Sequence, residues 1–219
     1  MKDSKMISET LDIPKGFILF ISGVPGVGKT TTSYELLKQF SNFRIIEETD
    51  ILRDALRGYN DLLIETGGKP LRDMLNSMTI HDHTKLLSLS DAKEQCTIMR
   101  KPLENIVARQ QRKGISSIIN GVHIVPEVLK DLSDNPRVLF VNLFINSEEV
   151  LNDRLTKRDP LSYMVQHVPF IFQSNLDLFN STKRMVNLYG NSFCNIDVTE
   201  QNVDATLREI IICISKKLS

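Results

Sequence analysis

The stretch FILFISGVPGVGKTTTSYELLKQF, residues 17 to 40, constrains the fold more than any other part of the chain. It opens with a short continuous apolar run, GFILFIS, the pattern of a strand buried on both faces of a parallel sheet. Glycines follow, and then KTTTSYELLKQF places Tyr34, Leu36, Leu37 and Phe40 at helical spacing. Between strand and helix, GVPGVGKT satisfies the G-x-x-x-x-G-K-[ST] pattern, with Gly23, Gly28, Lys29 and Thr30 in the fixed positions and Gly26 inside the variable part. The chemistry needs these residue types. A loop without side-chain bulk lets successive backbone N–H groups wrap a β-phosphate, and the helix N-terminus adds its positive dipole end. Lys29 supplies a point charge for the β- and γ-phosphates, and the Thr30 hydroxyl is the expected magnesium ligand. The cradle as a whole is expected to run over Gly23, Gly26, Val27, Gly28, Lys29, Thr30 and Thr31, holding a nucleoside triphosphate.

The rest of the chain alternates strands with helices. NFRIIEE, ISSIIN, RVLFVNLFI and SFCNIDV read as four further strands. TDILRDALRG reads as a short helix closed by Gly58, PEVLKDL as a short helix starting on Pro126, and SEEVLNDRLTKR as a helix capped by Ser147. Residues 59–113 look mainly helical, with a cap at Ser90, a kink or division at Pro102 and an end at Gly114. PFIFQSNLDLFNSTKRMVNLY and VDATLREIIICISKKL supply two more helices. The expected architecture is therefore α/β, a three-layer P-loop NTPase with about five parallel strands. No linker, repeat or low-complexity run divides the chain. It reads as one domain over 1–219, with 59–113 as a helical substrate-side insertion and 147–190 as a lid and following helix.

Several classes of function are disfavoured by composition. Lys plus Arg and Asp plus Glu both total 27, so no global field favours a long nucleic acid. No apolar run approaches the roughly 20 residues of a membrane span, and the acid-containing leader MKDSKMISETLDIPKG does not fit a secretory or transit peptide, so a cytoplasmic address is expected. Cys96, Cys194 and Cys213 are an odd, scattered set and read as small buried or half-buried hydrophobes. His81 and His83 form a pair without a third ligand nearby, the mark of a solvated loop or helix end rather than a metal centre.

Directly after the second strand, Asp50, Arg53, Asp54 and Arg57 fall at i, i+3, i+4 and i+7, one helical face, with Ile51, Leu52, Ala55 and Leu56 opposite. Ligands in a doubly wound sheet sit beyond the carboxyl ends of strands. Asp50 is thus placed to take the proton of an acceptor hydroxyl, and Arg53 and Arg57 to grip an anionic group on the acceptor. The bland alternative is a solvated face with Asp50–Arg53 and Asp54–Arg57 ion pairs. His123, just past the third strand, is a candidate donor to the acceptor's acid group, or a histidine satisfied by backbone. The third strand ends on Asn120, where an acid would add charge to a magnesium shell. In DRLTKRDP, Arg154 and Arg158 are four apart and can point together toward a transferring phosphoryl, or simply complement a helix C-terminus.

GVPGVGKTTT, then TDILRDALR, then IINGVHIVPEVL resemble the phosphate loop, the Thr-Asp-x-x-Arg segment and the Gly-Val-His-x-x-Pro segment of 2-phosphoglycerate kinases, members of the P-loop kinase superfamily. The resemblance spans residues 17 to about 190. It implies ATP-dependent transfer of phosphate to a hydroxyl of a small phosphorylated acid, with Asp50 as base or orienting group and Arg53 and Arg57 on the acceptor. The segment with Arg154 and Arg158 is similar in place to the lid of nucleoside-monophosphate-type kinases. Asn120 and Glu127 stand where the family usually has an acid and a glycine. The leading expectation is a kinase using ATP and Mg2+ on a small anionic metabolite. A nucleotide, nucleotide sugar or polynucleotide 5′ end is the alternative acceptor, and an ATP-binding switch or ATPase the alternative to transfer.

Overall fold

The first strand, β1 (Ile18–Ser22), is buried along its whole length because it lies in the middle of the sheet. Period-two alternation splits its side chains between two cores: Leu19 and Ile21 on one face, Ile18 and Phe20 on the other. The computed structural model describes residues 12–76, 80–82 and 84–219, so most of the leader read above, and His83, lie outside the described residues. The five strands are β1, β2 (Phe43–Glu48), β3 (Ser116–Asn120), β4 (Val138–Phe144) and β5 (Phe193–Asp197). All neighbours pair in parallel, in the order β2-β3-β1-β4-β5.

The helices are α1 (Lys29–Gln39), α2 (Thr49–Thr66), α3 (Lys69–Asn76), α4 (Leu89–Lys113), α5 (Glu148–Arg158), α6 (Val168–Tyr189) and α7 (Val203–Leu218). Leu36 of α1, Leu151 and Leu155 of α5, and Leu207, Ile210 and Ile214 of α7 cover the face bearing Leu19 and Ile21. Met99, Leu103 and Val107 of α4, with Leu178 and Met185 of α6, cover the other. Across β1, β4 and β5 the rings of Phe20, Phe140 and Phe193 stack at 4.6 and 5.1 Å, carrying that second core from the central strand to the sheet edge. The result is the three-layer α/β P-loop architecture expected from the sequence. Among the described residues, no helix is long and apolar enough to cross a membrane.

Four local expectations need correcting. Helix α2 does not end at Gly58 but runs eight residues further, to Thr66. Gly58 keeps a negative φ, and one interior glycine costs a helix only about 1 kcal/mol. The break comes at Gly67, where a Cβ would lie 2.5 Å from the Leu63 carbonyl and 2.7 Å from Leu71, so only glycine lets α3 fold back this closely. Helix α4 is capped by Ser88, not Ser90: Asp91 N–H donates to Ser88 Oγ at 3.1 Å, and Ser88 N–H donates to Asp91 Oδ2 at 3.1 Å. Pro102 does not divide α4, which runs through it as one helix with Met99 and Leu103 on either side buried in the core. PEVLKDL is a turn followed by a 3₁₀ helix, Lys130–Asp134, with i to i+3 bonds such as Leu129 N–H to the Pro126 carbonyl at 3.2 Å.

Of the three cysteines, Cys96 is as expected and the other two differ from the reading above. Cys96 is a buried hydrophobe whose thiol burial pushes up to about 11. Cys194 of β5 and Cys213 of α7 are half-buried and joined as a disulfide, brought together by α7 packing back along the strand.

Candidate functional site

Between β1 and α1 the backbone turns sharply, with φ of 142° at Gly23, 89° at Gly26 and 95° at Gly28. A Cβ on Gly23 would lie 2.6 Å from the Leu143 carbonyl, and one on Gly26 would press on Leu151 and Leu155 of α5. The loop is therefore seated on β4 and α5 by its glycines. Its N-cap, Gly28, supplies no side-chain cap to α1, and the first turn carries no acid, which leaves the helix N-terminal N–H groups for an incoming anion. Lys29 is 9% exposed and its ammonium donates to the Val24 carbonyl at 2.9 Å. Burial lowers its pKa to about 8, Asp50 and Glu48 oppose that shift, and Arg158 adds to it. A buried cation, a glycine cradle and uncapped N–H groups together fit a polyphosphate. Thr30 and Thr31 face the same cavity, whereas the Val27 side chain is buried in the core, so only its backbone is available to a ligand.

The cavity, about 800 Å³, continues from this loop to the start of α2 and the end of β3. Asp50 and Arg53 lie on its wall, as expected, but the face of α2 is turned from the expected one. Arg53 is buried at 5% exposure while Ile51 is 69% exposed and Ala55 is also outside; Leu52 and Leu56 alone of the apolar set touch the core. Arg53 donates through Nε and Nη2 to Asp54 Oδ1 at 3.1 and 3.0 Å, and its Nη1 is 3.6 Å from Asp50 Oδ1. Arg57, one turn further along α2, is half-buried and off the cavity wall. Its charge helps to lower the pKa of Asp82 instead. The ion-pair pattern accordingly centres on Arg53, not on an Asp54–Arg57 pair.

His123 is buried and lines the cavity. Its partner is a side chain: Nδ1 shares a 3.1 Å hydrogen bond with Thr49 Oγ1 and lies 3.5 Å from Asp50 Oδ1. Desolvation lowers its pKa to about 4 against the pull of Asp50, so the imidazole is neutral at pH 7. It orients Thr49 and Asp50 rather than offering a full charge. Gly121 makes this packing possible, since a Cβ there would fall 1.7 Å from Thr49 Oγ1.

Arg154 and Arg158 of α5 both border the cavity, with different engagements. Arg158 acts on Lys29 electrostatically, whereas Arg154 Nη2 donates to the Val198 and Thr199 carbonyls after β5. Asn120 also lines the cavity, its amide donating to Ser33 Oγ at 3.0 Å. Glu127 has a structural use: it accepts from Lys93 at 2.8 Å and Ser181 at 2.6 Å, tying α4 to α6.

Sequence reasoning missed four ionisable wall residues, Glu48, Asp82, Lys85 and Tyr163. Glu48, at the carboxyl end of β2, was readable from the strand-end rule and is a second carboxylate near Lys29 that a divalent cation could use. Asp82, Lys85 and Tyr163 come from segments with no motif and reach the wall only through the fold. Near them His81, Asp91 and Glu94 come within 4.8 Å of one another, but the Lys85 ammonium already bonds His81 Nε2 at 2.8 Å and Asp91 at 3.1 Å.

No protein-family model matches the chain. Among curated relatives, it is 28% identical over 151 residues to a 2-phosphoglycerate kinase of Methanococcus maripaludis strain C7, covering 66% of this chain and 48% of that one. A 2-phosphoglycerate kinase of Pyrococcus horikoshii is 26% identical over 184 residues, covering 76% and 56%. The chain thus spans about half the length of the curated relatives it matches. Among solved structures, a shikimate kinase from Acinetobacter baumannii in complex with shikimate aligns with a TM-score of 0.52 at 17% identity, covering 99% of both chains. A gluconokinase from Sinorhizobium meliloti aligns with a TM-score of 0.52 at 16% identity, covering 94% of both. In fold the chain is a P-loop α/β protein of the kind those kinases share, and in sequence it is similar to the 2-phosphoglycerate kinases of the P-loop kinase superfamily.

Proposed function

We propose that the protein is an ATP- and magnesium-dependent kinase that transfers the γ-phosphoryl group to a hydroxyl of a small anionic metabolite. One observation carries the reading: a single cavity joins Lys29 and Thr30 of the phosphate loop to Asp50 and Arg53 of α2. The acceptor hydroxyl attacks the γ-phosphorus as its oxygen–phosphorus bond forms and the β–γ bridging bond breaks; ADP leaves with the bonding pair, and the hydroxyl proton passes to the Asp50 carboxylate. Lys29 and Arg158 offset the spreading negative charge, and Arg53 holds the anionic group of the acceptor. Magnesium, when bound, would neutralise the phosphate oxygens, with Thr30 as ligand and Glu48 at hand. Arg154 reaches the phosphoryl only if it leaves the Val198 and Thr199 carbonyls, so we place it in a lid that closes on the nucleotide.

On this reading residues 1–219 form one kinase domain, 59–113 its substrate-side insertion, and 147–190 the lid and following helix, working in the cytoplasm. The similarity to 2-phosphoglycerate kinases supports the transfer chemistry. The test is γ-phosphate transfer from labelled ATP with magnesium to a panel of small acids, nucleotides and 5′-hydroxyl oligonucleotides, with Asp50→Asn as control. Label on one acceptor that depends on Asp50 is the expected result. Release to water alone would defeat the kinase reading in favour of an ATPase or switch.

A further inference from the structure

Strands β2 and β3 end side by side at the cavity, and their last residues differ in charge. Glu48 and Asn120 are register partners in parallel strands, so their side chains leave the sheet on the same face. Ile46 and Ile118, the pair two residues earlier on that face, belong to the core that Leu36 of α1 covers. Both terminal residues therefore rise on the α1 side of the sheet, and both line the cavity together with Lys29 and Thr30.

The two side chains do different things. Asn120 is 3% exposed and commits its Nδ2 to Ser33 Oγ of α1 at 3.0 Å, so it ties helix to strand and brings no charge. Glu48 stands at the N-cap of α2, where a short polar side chain usually caps the first turn, yet its carboxylate makes no cap hydrogen bond. It faces the cavity instead, near enough to Lys29 to favour the charged ammonium. Asp50, the other carboxylate that Lys29 feels, is turned to the acceptor side, 3.6 Å from Arg53 and 3.5 Å from His123. A polyphosphate and a carboxylate on one wall repel each other, and a divalent cation between them reverses the sign. Glu48, the Thr30 hydroxyl and phosphate oxygens are the hard oxygen donors that magnesium takes. Neighbouring strands lie about 4.8 Å apart, and a glutamate is one methylene longer than an asparagine, which offsets part of that distance.

We propose, building on the kinase reading, that Glu48 supplies the carboxylate that holds the nucleotide's divalent cation, in place of the uncharged Asn120 on the neighbouring strand. The three residues then divide the work: Glu48 serves the metal, Asp50 the acceptor, and Asn120 the seating of α1. Glu48 makes nucleotide binding conditional on the metal, since its charge opposes bare phosphates and favours metal-bound ones.

The test is calorimetric titration of the full chain with ADP, once in magnesium and once in EDTA, read as the ratio of the two Kd values. In the native protein magnesium is expected to tighten ADP. Glu48→Gln is expected to shrink that ratio about tenfold from both ends, weakening ADP in magnesium and tightening it in EDTA. Adding Asn120→Asp to Glu48→Gln is expected to recover most of the ratio, because it returns a carboxylate one strand away, whereas Asp50→Asn should leave the ratio within about twofold. A merely structural Glu48 would weaken ADP equally in both conditions. That result, an unchanged ratio in Glu48→Gln, or no recovery on adding Asn120→Asp would overturn the assignment. None of these readings involves transfer, so label that passes from ATP only to water would defeat the kinase reading and leave Glu48 in place, while ADP that binds in neither condition would defeat both.

Discussion

Lys29 is a cation placed where water cannot solvate it, which ties its protonation to nucleotide binding. Its folded pKa of about 8 lies below the unfolded value of 10.5, so between those values the unfolded chain holds a proton that the folded one has lost. Stability of the ligand-free protein therefore gains from Lys29 as pH rises through about 8 to 10.5. Bound phosphates favour the charged form, so the Kd for ADP with magnesium should rise about tenfold between pH 7 and pH 9, and Lys29→Met should flatten that dependence in calorimetric titrations. His123 acts in the opposite range. Its folded pKa of about 4 is below its ordinary 6.5, so the unfolded chain takes up a proton first and stability falls as pH drops from about 6.5 towards 4. Urea unfolding at pH 7.0 and 5.5 should show this loss in the native protein and a smaller one in His123→Gln; an equal loss in both would remove His123 from the account. Asp50→Asn should leave the ADP Kd within about twofold while transfer falls by 10² or more, as for loss of a general base.

The contact between the start of α2 and the end of β3 is the tightest joint in the site. Gly121→Ala would drive a methyl group into Thr49 Oγ1, displacing the hydroxyl that His123 holds. The variant should lose about 2 kcal/mol or more of stability together with most of its acceptor turnover, and Thr49→Ala in the same chain should recover part of the stability without the turnover. Denaturant melts and transfer assays on the single and double variants distinguish that result from a purely additive one. Ser88→Ala removes a capping box from α4 and should cost about 1 kcal/mol in the same melts. At this scale the sequence was readable where the signal is local. Gly114 closes α4 with φ 65° and Ser147 caps α5 as their spacing predicts. Gly58 as a helix end and Pro102 as a division misled, because α2, packed through Leu52 and Leu56, and α4, packed through Met99 and Leu103, tolerate an interior residue that would end an isolated helix.

Across the whole molecule, one cavity reaches from the phosphate loop to α4 and α6, so ligand binding should stabilise the fold as a unit. At 100 times its Kd, ATP with magnesium should add about 2.7 kcal/mol, a rise of roughly 5–11 °C in Tm for a chain of this size, absent in Lys29→Ala. The sequence by itself determined the strand–loop–helix around GVPGVGKT, the parallel α/β order, and the placing of Asp50 and Arg53 beside the phosphate loop. These follow from covalent spacing and hydrophobic period, which act over a few residues. Only the tertiary structure decided that Arg53 is buried while Arg57 is off the wall, that Thr49 is the partner of His123, and that Cys194 meets Cys213. It alone brought Asp82 and Lys85 onto the cavity wall. Those contacts join segments between 19 and 74 residues apart or depend on how far a helix is rotated against its neighbours. Rotation is fixed by packing against the rest of the core, and no local pattern encodes it.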